Sequence, residues 1–191
     1  METFANAFYY FCKFQSGQPE FWVSMEQSLN KNKESLTVEQ LTRCLLALVM
    51  NPRPIEQKLA DGVINGILNK FDKAGSKDVF YLCIALGKGM RKLPQESVST
   101  DIYYAIYLKS LQVMSEYDLY QISQIGNFMS GPGVSRNIPD EFWTGCLESA
   151  LDESLKEFIK YSELISKENY MDDYMSCLVS FGIRGVASKK L

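Results

Sequence analysis

The chain contains no histidine at all. That absence removes Ser-His-Asp and Cys-His catalysis, a histidine general base and every zinc site that needs an imidazole. Cysteine is sparse and odd in number: Cys12, Cys44, Cys83, Cys146 and Cys177 lie far apart in apolar stretches and never as C-x-x-C. Neither a disulfide framework nor a four-cysteine zinc knuckle follows from that spacing, so reduced, buried thiols in an intracellular compartment are expected. Basic charge is not in excess either. The 20 Lys and Arg against 23 Asp and Glu give a net charge of −3 and a pI near 5.2, which counts against a general nucleic-acid binder but leaves room for a local basic face. No apolar run is long and charge-free enough to span a bilayer, so peripheral membrane contact is left open. The opening "METFANAFYYFCKF" has neither the arginines of a mitochondrial presequence nor the apolar core of a signal peptide, and the closing "SKKL" lacks the serine of a peroxisomal address.

What the chain does have is an echo. "PEFWVSMEQSL" at 19–29 returns as "PDEFWTGCLESAL" at 139–151, and the two Glu-Phe-Trp steps hold the only tryptophans, Trp22 and Trp143. Around them the periodicity is helical. "SLTVEQLTRCLLALVM" (35–50) begins with a capping-box spacing, Thr37 to Gln40, and is stopped by "NPRP". "IEQKLADGVINGILNKF" (55–71) carries Ile55, Leu59, Val63, Ile67 and Phe71 four apart on one stripe. The later segments continue in the same manner, and none alternates as a strand would. The expected class is all-α.

Helices of this length joined by short breakers predict an internal repeat. Aligning Cys12, Cys44, Cys83, Ser123 and Cys177 gives intervals of 32, 39, 40 and 54 residues. Three positions earlier stand Tyr9, Leu41, Phe80, Tyr120 and Tyr174; five earlier stand Ala7 and the acids Glu39, Asp78, Asp118 and Asp172. A small residue where helices approach, a large one a turn before it and an acid facing the positive helix end make physical sense together. The reading is a single domain, an α-solenoid of antiparallel helix pairs in about four and a half repeats of 38–40 residues. Its pairs fall near 1–34, 35–75, 76–114 and 115–165, with a half-repeat at 166–191 and an extra or extended helix taking up 152–165.

Three weaker motifs resolve as structure. "GKGMRK" (87–92) lacks phosphate-loop spacing and reads as a helix end rich in glycine and cations. "SGPGVSR" (130–136) reads as an inter-helix loop, and the acidic pairs 152–153 and 172–173 as helix starts rather than a metal loop. No catalytic residue, metal ligand or cofactor site is identified.

The helix-pair length, with "SLTVEQLTRCLLALVM" leading one pair and P-E-F-W or P-D-E-F-W opening second helices, resembles the octotricopeptide and heptatricopeptide repeat families, relatives of the RAP-domain proteins of mitochondria and chloroplasts. The resemblance implies a helical-repeat fold, with organellar RNA or, in some protist members, the subunits of a mitochondrial assembly as partners. The acidic pI departs from the RNA-binding members, and no terminal RAP domain is read in these 191 residues. The leading expectation is therefore a non-catalytic scaffold or accessory subunit of a mitochondrial complex: respiratory chain, ATP synthase or mitoribosome. Mitochondrial placement is favoured, with the cytoplasm as the other option. Trp22, Trp143, Tyr103, Tyr104 and Tyr107 are the candidate interface residues; for the tryptophans structural packing is the favoured account, with an aromatic base-stacking platform as the alternative. The alternative is an RNA-binding repeat protein using Lys88, Arg91, Lys92 and Lys109 as its basic face.

Overall fold

Capping and burial account for most of the helices in the computed structural model, which describes residues 2–14, 17–131 and 138–161. Eight α-helices are described: α1 (Glu2–Phe14), α2 (Pro19–Asn32), α3 (Val38–Met50), α4 (Gln57–Leu68), α5 (Ser76–Gly89), α6 (Thr100–Gln112), α7 (Leu119–Met129) and α8 (Asp140–Tyr161). No strand occurs among the described residues, so the all-α expectation holds. The segment 152–161 continues α8 as one helix rather than starting another. The expected half-repeat at 166–191, with Asp172, Tyr174 and Cys177, lies outside the described residues.

The chain divides into two compact units, residues 1–105 and 106–191, with the division inside α6. In the first unit α3 is the central helix. It packs against α1 and α5 and also meets α4, while α2 packs on α4. That position explains its sequence: Val38, Leu41, Thr42 and every residue from Cys44 to Val49 are buried, the all-round burial of a helix with neighbours on several sides. Thr37 and Gln40 close the predicted capping box, each accepting from the other's backbone N–H at 3.3 and 3.0 Å. Asn51 ends the helix, its side-chain oxygen accepting from the Arg53 N–H at 3.1 Å. Gly66 lets α4 approach closely, since a Cβ there would stand 3.2 Å from a Leu41 methyl. On the predicted α4 stripe Leu59, Val63, Ile67 and Phe71 are buried and Ile55 is half-buried. In the second unit α7 and the turn at 114–116 both pack on α8.

One connector is built three times. One-turn 3-10 segments precede α3 (Lys33–Ser35), α5 (Phe71–Lys73), α6 (Gln95–Ser97) and α7 (Met114–Glu116), each helix beginning five residues after its segment does, and those before α3, α5 and α7 share a further pattern. The residue after each turn (Leu36, Ala74, Tyr117) is extended, buried and donates its N–H back to the first residue of the turn. The next (Thr37, Gly75, Asp118) is the extended N-cap, whose N–H donates to a side chain at the third helical position, Gln40, Asp78 or Gln121, at 3.0, 2.8 and 3.1 Å. The recurrence is 38 residues (33 to 71) and then 43 (71 to 114).

This connector sets a different register from the one the cysteines suggest. Cys44 stands six residues after the start of α3, Cys83 seven after the start of α5 and Ser123 four after that of α7, so the three are not equivalent. Counted from the connector, the columns buried in all three helices are Leu41, Val79 and Ile122; Thr42, Phe80 and Ser123; Cys44, Leu82 and Ile125; Leu45, Cys83 and Gly126; Ala47, Ala85 and Phe128; and Leu48, Leu86 and Met129. Cysteine occupies two different columns because it packs as any small apolar residue does. The aligned acids also differ in role: Glu39 and Asp78 lie in first turns, whereas Asp118 is itself an N-cap.

Candidate functional site

Most of the side chains singled out in the sequence serve the core. Trp22 and Trp143 stand at the fourth residue of α2 and of α8, and both are buried, Trp143 completely. Each meets the preceding phenylalanine edge-on, at 5.2 Å for Phe21–Trp22 and 5.1 Å for Phe142–Trp143. The echo is thus a packing device used twice. The surface of both tryptophans is covered by the chain itself. Tyr107 is also buried, edge-on to Phe142 at 6.1 Å. Tyr103 is half-buried, and burial raises its phenol pKa above the ordinary value. Of the five, Tyr104 alone is well exposed.

The proposed basic face is similarly divided. Lys88 and Arg91 are exposed at the end of α5, and Lys109 is half-buried on α6. Lys92 is committed to the fold, since its Nζ donates to the carbonyls of Val49 at 2.9 Å and Asn51 at 2.7 Å, completing the C-terminus of α3. Lys70 does the same for the first connector, donating to the carbonyls of Glu34 at 2.7 Å and Leu36 at 2.8 Å. "GKGMRK" is a helix end as expected, but its last cation serves a neighbouring helix rather than its own. Gly89 fits there because a Cβ would press on Leu93 at 2.6 Å and Val49 at 2.8 Å.

Cys12, Cys44, Cys83 and Cys146 are buried and form no disulfide among the described residues. Burial pushes the Cys44 thiol up to about 12, and Cys83 is raised further for the same reason. Cys12 rises to about 11, again through burial, with a hydrogen bond from Asn51 pulling the other way and the Glu26 carboxylate adding to the rise. A thiol held protonated near neutrality is a poor nucleophile, so these act as packing groups. Among the described residues no cluster of three or more Cys, Asp or Glu is placed to hold a metal, and no helix is long and apolar enough to cross a membrane.

The feature the sequence did not reveal is an open groove of about 270 Å3 on the first unit. Tyr9, Tyr10, Lys13 and Asn6 come from α1, Arg43 and Leu46 from α3, and Tyr81 from α5. Tyr10 is 54% exposed and Tyr81 42%, large values for aromatic rings. Tyr10 continues into Phe14, 68% exposed, with the rings near parallel at 6.4 Å. Arg43 donates to the Asn6 side-chain oxygen and pairs with Glu39 at 2.6 Å, so its guanidinium is held in place. Lys13 is exposed and has no hydrogen-bond or ion-pair partner among the described residues. The opening "METFANAFYYFCKF" was the available signal. Five of its six aromatics lie outside the core: Phe4 and Tyr9 are half-buried, and Tyr10, Phe11 and Phe14 are exposed.

No family model, curated protein or solved structure matches this chain.

Proposed function

We propose that the chain is a non-catalytic helical-repeat subunit, an α-solenoid of helix pairs that acts as a scaffold or accessory part of a larger protein assembly. The observation that carries this reading is the connector built three times, each leading into a helix with the same six buried columns. A chain organised as repeated helical units buries its core between neighbouring units and offers long side surfaces to partners. The exposed tyrosines and Phe14 of the first unit suit such use, since aromatic side chains dominate the energetics of protein interfaces. The setting, a mitochondrial complex, is proposed on the octotricopeptide-like sequence pattern alone.

An RNA-binding repeat protein is the second reading. It draws on Lys88 and Arg91, both exposed, but Lys92 is already engaged by two carbonyls and the chain is net acidic. A gentle detergent lysate of the source cells, run on a density gradient with and without RNase and followed by mass spectrometry, separates the two. The subunit reading expects a fast, RNase-resistant peak with a constant set of co-migrating proteins. A peak that collapses with RNase favours the second reading, and a free species of 21.8 kDa overturns the first.

A further inference from the structure

We propose that the groove over α3 is a docking site for a partner protein segment in which an aromatic or large aliphatic side chain is followed closely by an acidic residue. The inference rests on the subunit reading and names the contact through which it would operate.

The geometry is that of a shallow trough. Leu46 of α3 supplies an apolar lining, Tyr9 and Tyr10 form the α1 side and Tyr81 the α5 side. A volume of about 270 Å3 is too small for a folded module or a whole helix, but is of the size that accepts one or two inserted side chains. Tyrosine rings lose little conformational entropy on binding and offer both an apolar face and a hydroxyl, which suits an anchor side chain from a partner.

Charge then selects what accompanies that anchor. Among the described residues the lining includes two cations, Lys13 and Arg43, and no carboxylate, in a chain whose net charge is −3. Arg43 is balanced by Glu39, so its role is to hold the groove in shape. Among the described residues Lys13 is the unmatched charge of the lining, and a carboxylate from the partner is its natural complement. The same count argues against a nucleic-acid strand, which would bring several phosphates to a groove with one free cation among its described lining residues. Tyr10 and Phe14 extend the apolar surface along α1 beyond the groove, giving the partner segment a path on which to continue.

The test is panning of a display library of random peptides, about 12 residues long, on the full chain. The enriched peptides are then titrated against the chain and against Tyr81→Ala and Lys13→Glu, each checked for an unchanged helical spectrum. The expected result is a consensus of an aromatic or aliphatic residue near Asp or Glu, with affinity falling about tenfold or more in Tyr81→Ala. Lys13→Glu should weaken binding too, and replacing the acid in the peptide by Lys should restore it on that variant alone. Failure to enrich such peptides overturns the proposal, as does binding that both variants leave unchanged. Tight binding of a uridine oligonucleotide that the same two variants abolish overturns it in favour of RNA. The gradient separates this from the parent reading: a chain that co-sediments with its assembly equally well as Tyr81→Ala and Lys13→Glu sinks the groove and leaves the subunit role standing. A free chain that still selects these peptides through the groove does the reverse.

Discussion

The two Phe-Trp steps share a sequence and a helical position yet differ in how completely they are enclosed. In α8 both Phe142 and Trp143 are fully buried. In α2 Trp22 retains a little exposure, and Phe21 is half-buried with Phe11 at 4.7 Å, a ring that is itself 40% exposed. Their local settings also differ: Trp22 meets Phe8 of α1 at 6.2 Å, whereas Phe142 stands edge-on to Tyr107. A repeated motif thus fixes where a side chain enters the helix, while its neighbours decide how much of it is covered. Full enclosure needs partners on every side, and around Phe21 the aromatic partner is only partly shielded itself.

The largest test of this contrast is truncation. Trp143→Ala should cost about 3–5 kcal/mol by urea unfolding followed with far-ultraviolet circular dichroism, and Trp22→Ala should fall below it. Equal losses at the two sites would break the comparison. Gly17 and Gly145 sharpen it. Gly17, at the entry to α2, holds φ at +118° and a Cβ there would stand 2.7 Å from the Phe21 ring, so Gly17→Ala should cost at least 1 kcal/mol or so. The caps come next. Thr37→Ala and Asp118→Ala each remove an acceptor for an N3 amide and should cost about 1 kcal/mol in thermal or chemical unfolding. Gly145, inside α8, has room for a methyl group, 3.6 Å from Leu111, so Gly145→Ala should gain up to about 1 kcal/mol. Gly75 has no side chain to accept, so Gly75→Ser should gain a few tenths of a kcal/mol.

The last effect is nil at neutral pH and grows with alkalinity. The unfolded thiols lose their protons near 9, while Cys12 and Cys44 in the folded chain hold theirs to about 11 and 12. Above pH 9 the unfolded state therefore binds fewer protons than the folded one, and stability declines as pH rises through that window. Cys44→Ala should show a shallower alkaline decline than the unaltered chain when melting is followed from pH 8 to about 11.

Helical class and several helix ends were legible because they depend on local pattern. Thr37 and Gln40 specify a cap by themselves, and Asn51 with Pro52 specifies a stop. The Phe-Trp echo was legible because identical residues recur. The register of the repeat was not. The connectors read "KESLT", "FDKAG" and "MSEYD", and what they share is backbone geometry: a 3-10 turn, then two extended residues. Many side chains permit that geometry, so little of it is written in letters, whereas cysteine drew the eye to positions that differ from helix to helix. Lys92 could be read as a cation at a helix end but not as the cap of α3, since its carbonyl partners lie 43 and 41 residues earlier. The groove was hidden for the same reason, as Tyr10, Arg43 and Tyr81 meet only once three helices are packed.

The placement of the two indoles has an optical consequence. Trp22 lies in the first compact unit and Trp143 in the second, and no other tryptophan is present. Each unit thus carries its own built-in fluorophore, shielded from water and near the blue end of indole emission. Replacing either one by phenylalanine leaves a chain that glows from one unit alone, so the order in which the two units unfold can be read from the colour of the light.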